Sequence, residues 1–183
     1  MRFRSLRLLA LLVAAGCASV RPLPVPETAR VPVPAPLVIT STDIAKDAPC
    51  IQTTHGCLAL NPDVTEATVS QTICVAGYTR TVRPAASYTN GVKSKLLREA
   101  GLDASRMGDF ELDHIVPLAL GGHPRKLSNL ELQPWPGEHG AWRKDALEVR
   151  MHNLVCEGEL TLTEAQACVA EDWEACATQW PAR

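Results

Sequence analysis

The residues best suited to chemistry lie in one stretch, "ELDHIVPLALGG", which places Asp113 directly before His114 at the end of an apolar run that breaks at Gly121 and Gly122. An imidazole titrates close to neutral pH and can take a proton from water, so His114 is a candidate general base. A carboxylate beside it is an oxygen donor of the kind a hard divalent cation takes, and Asp113 is the candidate metal ligand. In a straight strand, neighbouring side chains point to opposite faces, so the two converge only if the backbone turns at the strand end. Glu111 shares the face of Asp113 by period two and is either part of the metal shell or a solvated strand residue.

Several elements must position this pair. A strand starting near Phe110 cannot run on as a central strand through Pro117. The glycine pair supplies a turn, and "NLELQP" from Asn129 offers a second strand that Pro134 and Pro136 end. "HGAWRKDALEVRMHNLVCEG" then reads as a helix with Trp142, Ala146 and Val149 on one side and Gly158 past its end. The centre of the chain is therefore strand, turn, strand, helix. Upstream, the β-branched residues of 67 to 83 predict one or two short strands broken at Gly77. "SYTNGVKSKLLREAGLD" predicts a helix capped at Thr89 or Asn90, with Val92, Leu96 and Leu97 as its stripe and Gly101 as its stop. Thr163 and Gln166, in capping-box spacing, begin a last helix.

The chain has 183 residues and a formal net charge of -2, which suits one domain and excludes a global basic field. Charge is uneven: Cys74 to Arg150 holds 11 Lys or Arg against 9 Asp or Glu, while 157 to 183 holds 6 acids and only Arg183. A polyanion site therefore belongs to the middle. At the front, Arg2, Arg4 and Arg7 precede an apolar run ending in small residues, the pattern of an export signal too short to span a membrane. "AAGC" resembles a bacterial lipobox, which implies loss of residues 1–16, a lipid on Cys17 and a membrane anchor through it, with plain secretion as the alternative. Residues 17–45 are proline-rich and read as an extended tether, leaving 46–183 as the domain.

Six further cysteines make an even set with no CxxC pair, which favours disulfides over a zinc knuckle and fits an oxidising destination. Cys50 and Cys57 can close a short loop. Cys168 and Cys176 lie about 12 Å apart along a continuous helix, too far to bridge unless the helix breaks between them. Cys74 with Cys156 would then tie the front of the domain to the end of the long helix.

"DHIVPLALGG", the spaced Asn129 and Leu130, and the following helix resemble the HNH endonucleases of the His-Me finger (ββα-metal) group, with the core motif over Glu111 to Glu148. "GYTRTVRP", "YTNGVKSKLL", "KDALE" and "LVCEG" also resemble small exported bacterial proteins carrying such a domain. The resemblance implies an α+β His-Me finger fold, a two-stranded hairpin plus helix elaborated with flanking helices and short strands and stabilised by disulfides. It implies hydrolysis of nucleic acid, DNA first, in the cell envelope with Mg2+ or Mn2+. His114 is then the base, Asp113 the metal ligand, and Asn129 the residue that holds the His114 loop. The family's third position stays open between His139, in the loop-like "PWPGEHGA", and Asp145 one turn into the helix. Arg143 and Lys144 are phosphate-binding or stabilising candidates, with surface charge, or for Lys144 an i,i+4 pair with Glu148, as the plain alternative. Arg80 and Arg83 are further phosphate candidates. His123 and His152 are expected to be exposed, His55 to belong to the Cys50 to Cys57 loop, and the four tryptophans to pack rather than stack on bases. Two competing readings are an inactive scaffold of this type that binds nucleic acid, a wall polymer or a protein, and a purely structural envelope lipoprotein.

Overall fold

A computed structural model describes residues 48–181. The export signal, Cys17 and the tether up to residue 45 lie outside the described residues. The described chain is α+β: two separate two-stranded antiparallel sheets, four α-helices and short 3-10 turns. Among the described residues no helix is long and apolar enough to cross a membrane.

The first hairpin pairs β1 (Cys50–Thr53) with β2 (Gly56–Ala59), turning at Gly56 with φ 115°. The Cys50–Cys57 disulfide closes it. Residues 67 to 83 depart from the expected strands: they form a 3-10 turn at Val69–Gln71 and a short helix, α1 (Tyr78–Val82). The cause is local side-chain bonding. The Thr68 hydroxyl donates to Asp63 O at 2.8 Å and accepts from Thr65 N, and the Thr72 hydroxyl donates to Thr68 O at 2.7 Å, so threonines that favour strands by shape here stabilise turns instead. Gly77, with φ 85°, opens α1.

Helix α2 (Ala86–Glu99) is capped at Ala85, ahead of the expected Thr89 or Asn90, and the Thr89 hydroxyl bonds back to Ala86 O instead of capping. It buries Leu96 and Leu97 and stops at Gly101, where φ is 69°. Strand β3 (Phe110–His114) pairs with β4 (Leu130–Pro134), Asp113 opposite Glu131 and His114 opposite Leu130. Helix α3 (Ala141–Cys156) follows directly. The side of α3 bearing Trp142 and Val149 faces solvent, at 64% and 63% exposure, contrary to the expected packing stripe. The buried side is instead Ala141, Lys144, Leu147, Met151 and Leu154. A charged residue lies on the core-facing side, so a purely apolar stripe misplaces the helix face.

Helix α4 (Leu162–Gln179) is capped by Thr161 and Glu164 rather than Thr163 and Gln166. Thr163 serves the carboxylate of Glu66, and Gln166 is buried, donating to Leu120 O at 2.7 Å. Helix α4 breaks at Asp172 (φ -159°, ψ 92°), and this break brings Cys168 and Cys176 to 5.4 Å between Cα atoms, so they form a disulfide. The Asp172 carboxylate accepts from the N–H groups of Glu174 and Ala175, capping the second segment. Cys74–Cys156 ties the front of the domain to the end of α3. Three disulfides suit an oxidising compartment.

The core gathers Leu147, Met151 and Leu154 of α3, Ala165 and Val169 of α4, and Val116 and Leu120 of the loop after β3. Trp173 and Trp180 pack against it, whereas Trp142 does not. Because α3 and α4 hold the 116–120 loop from below, the end of β3 is fixed where Asp113 and His114 emerge.

Candidate active site

Asp113 and His114 end β3 with only 8% and 6% of their surface exposed, and both line a cavity of about 120 Å3. The Oδ1 of Asp113 accepts from the His114 N–H at 2.7 Å, and the two consecutive residues at the end of β3 both reach the one cavity. The His114 Nε2 lies 3.2 Å from the carbonyl oxygen of Pro124. A carbonyl only accepts, so Nε2 carries the hydrogen and Nδ1 of the neutral ring keeps its lone pair. Burial pushes the His114 pKa below its ordinary value, against the pull of the Pro124 bond and Asp113, so the neutral form prevails at neutral pH.

Asn129 is fully buried and holds the loop between β3 and β4. Its Oδ1 accepts from Val116 N at 2.8 Å, while its Nδ2 donates to Val116 O at 3.0 Å and to His123 O at 3.2 Å. One amide thus fixes the segment after His114 and the segment leading to Pro124. Gly122 lies in the same crossing: a Cβ there would overlap the Val116 carbonyl and stand 2.6 Å from Asn129 Nδ2. His123, expected to be exposed, is half-buried and accepts at Nδ1 from the N–H groups of Arg125 and Lys126.

Lys144 is neither a surface charge nor within reach of solvent, at 1% exposure. Its Nζ donates to Asp113 Oδ2 at 2.6 Å, to Glu148 Oε1 at 2.8 Å and to the His114 carbonyl at 2.9 Å. Those three bonds use all three ammonium hydrogens, so in this state Lys144 has none left for a phosphate. Burial works against its charge, but Asp113 and Glu148 outweigh burial and keep it protonated. The i,i+4 pair with Glu148 is real, and it is the inner half of a tie between α3 and the end of β3.

Asp145 and Arg83 line the cavity with Glu111 and Glu148. Burial, with the charges of Asp113 and Asp145, pushes Glu111 up to about 7. Burial and then Asp113 raise Asp145, and burial raises Glu148 against Lys144. Four carboxylates therefore share a small space with one buried ammonium and one exposed guanidinium. His139 stands elsewhere: it is 59% exposed and its Nδ1 bonds Glu174 at 2.5 Å. Arg143 donates to Glu138 O and lies over the Trp173 ring, outside the cavity lining, and Arg80 is exposed on α1, also outside it. Of the two residues weighed for the third position, the fold brings Asp145 to Asp113 and His114 and leaves His139 apart.

The oxygen donors suit a hard divalent cation, and Glu111 Oε2 is buried without a hydrogen-bond partner. Among the described residues no group of three or more His, Cys, Asp or Glu is drawn together at metal-holding geometry. The fit thus lies in donor chemistry, not in a closed shell. Two participants escaped the sequence reading. Glu131 is pushed up to about 7 by burial and then by Asp113, and its place opposite Asp113 follows once the hairpin register is counted from Asn129. The Pro124 carbonyl leaves no trace in residue type, because it is backbone. Comparison with family models, curated proteins and solved structures finds no match for this chain.

Proposed function

We propose that this protein is a metal-dependent nuclease of the His-Me finger type that hydrolyses phosphodiester bonds of nucleic acid in the cell envelope, anchored by a lipid on Cys17. The observation that carries the reading is His114: a neutral imidazole, its Nε2–H tied to the Pro124 carbonyl, on a cavity it shares with Asp113 and Asp145. Supporting it is the order of parts, an antiparallel hairpin followed directly by a helix that ties back to the hairpin's end through Lys144.

In this reading the Nδ1 of His114 accepts a proton from the attacking water as its oxygen bonds to phosphorus. Asn129 keeps the ring in place by fixing both sides of its loop. Arg83, exposed at the cavity, pairs with a non-bridging phosphate oxygen. Asp113 and Asp145, with Glu111 beside them, would hold Mg2+ or Mn2+, which supplies charge neutralisation for the phosphate and the departing oxygen. Lys144 keeps Asp113 oriented and lets the acids sit close together.

A second reading is favoured by one observation: the Lys144 ammonium already occupies Asp113 Oδ2, the carboxylate oxygen that a metal ion would otherwise take. On that reading the scaffold binds nucleic acid without cutting it. Supercoiled plasmid incubated with the purified protein separates the two. Nicking with Mg2+ or Mn2+ that a chelator abolishes supports the nuclease, and salt-sensitive binding with no nicking supports the binding module.

A further inference from the structure

Beside the catalytic cavity runs a larger, open groove of about 580 Å3, between the segment from Ile73 to Thr79 and the solvent side of α3. The two spaces adjoin: Thr79, Ala119, Asp145 and Glu148 line both. Away from that junction the groove is walled by small and apolar groups, among them Val75, Ala76, Tyr78 and Val149. Val75 and Val149 are 47% and 63% exposed, two of the three large exposed hydrophobic side chains of the described domain. Tyr78 is held by a bond from Asn61 Nδ2 to its hydroxyl and by packing against the core.

The occupant must satisfy three conditions. It must be continuous with whatever binds at His114. It must not be an anion, since the Asp145 carboxylate stands at the junction. It must gain from contact with apolar walls. A phosphate fails the second condition and a stacked base pair fails the first, because Asp113 and His114 are recessed and the reacting phosphate has to be drawn inward, away from the helical stack. We infer that the groove seats an unstacked nucleobase next to the scissile phosphate, so that single-stranded nucleic acid is the preferred substrate. This rests on the nuclease reading of the adjoining cavity. Tyr78 is the one Phe, Tyr or Trp ring in the groove wall, and a base stacked on an aromatic ring gains an amount that corresponds to roughly 5- to 150-fold in rate or affinity.

The test compares the full chain on a single-stranded oligonucleotide, on its duplex, and on the same strand with one abasic nucleotide stepped through the positions flanking the cut. The expected result is at least about tenfold faster cutting of the single strand than the duplex, and about tenfold slowing at one abasic position only. Val149→Asp and, as a second variant, Val75→Asp place a carboxylate on the groove wall. Both positions are solvent-exposed, so folding, checked by thermal melting, should survive. Each should slow cutting of the intact strand while leaving the abasic strand at its already reduced rate. Equal cutting of single strand and duplex, with no abasic effect, would overturn the groove assignment and leave the nuclease reading standing. Failure to cut any of the three with Mg2+ or Mn2+ would overturn both.

Discussion

Replacing Lys144 with Met keeps an unbranched stem one atom shorter and removes the ammonium, so it isolates what the buried charge does. In the native protein three oxygens depend on it, at 2.6, 2.8 and 2.9 Å, two of them on carboxylates that lie largely out of water. Removing one partner of a buried ion pair strands the other, and such losses run to about 3–5 kcal/mol. An exposed i,i+4 pair, by contrast, contributes about 0.3–0.5 kcal/mol. With the disulfides intact and a urea slope of about 2 kcal/mol per molar, the midpoint should fall by about 1.5–2.5 M. The deficit should grow with pH. Burial already raises the Glu148 pKa against the pull of Lys144; without the ammonium Glu148 holds its proton to still higher pH when folded than when unfolded, so the stability of the variant is fullest in acid and is lost as Glu148 ionises. Asp113→Asn in the Lys144→Met background should recover about 1 kcal/mol or more relative to the sum of the single changes. A Lys144→Met midpoint within about 0.2 M of wild type at pH 8 would mean that Lys144 contributes no more than an exposed pair.

Asn129→Ala leaves Val116 N, Val116 O and His123 O without their buried partner and should cost about 3 kcal/mol, measured by the same unfolding curves. Gly122→Ala forces a methyl against the Val116 carbonyl and the Asn129 amide, and a loss of about 2 kcal/mol or more is expected; a neutral outcome would mean the loop crossing is looser than described. Glu131 is raised from 4.5 to about 7 by burial and Asp113, so its contribution is fully present below pH 4.5 and is lost as pH rises through 7. Glu131→Gln removes the ionisable group, and its melting temperature should exceed wild type by a few degrees at pH 8 and match it near pH 4.

Much of the central architecture is legible in the sequence because it depends on strong, short-range signals. Pro117 and the Gly121–Gly122 turn end β3, Pro134 and Pro136 bound β4, and Gly158 with φ 75° ends α3; the prolines restrict the backbone directly, and Gly121 and Gly158 admit the left-handed turns that other residues resist. Elements that depend on competition between weak preferences are less legible. Threonine-rich residues 67 to 83 favour strands by shape, yet their hydroxyls bond the backbone and hold turns. The buried side of α3 is hidden for a related reason, since its centre is Lys144 and hydrophobic patterning takes the exposed Trp142 and Val149 in its place. At the site, Asp113, His114 and Asn129 are adjacent in one motif and can be read as a unit. The partners that tune them, Lys144, Glu131 and the Pro124 carbonyl, come from other elements and are set by hairpin register and helix docking. The break of α4 at Asp172 shows the same limit in reverse. The cysteine spacing makes a bridge conditional on a kink, and the Asx capping that permits the kink is visible only once the fold is known.

The role of His114 as the base is tested most simply by plasmid nicking by wild type and by His114→Ala, with and without chelator, on proteins whose melting curves agree. Metal-dependent nicking by wild type is expected, with a loss of about 100-fold or more in the variant, the scale of a missing general base. Equal nicking by the two proteins, or none by wild type with Mg2+ or Mn2+, would contradict that role.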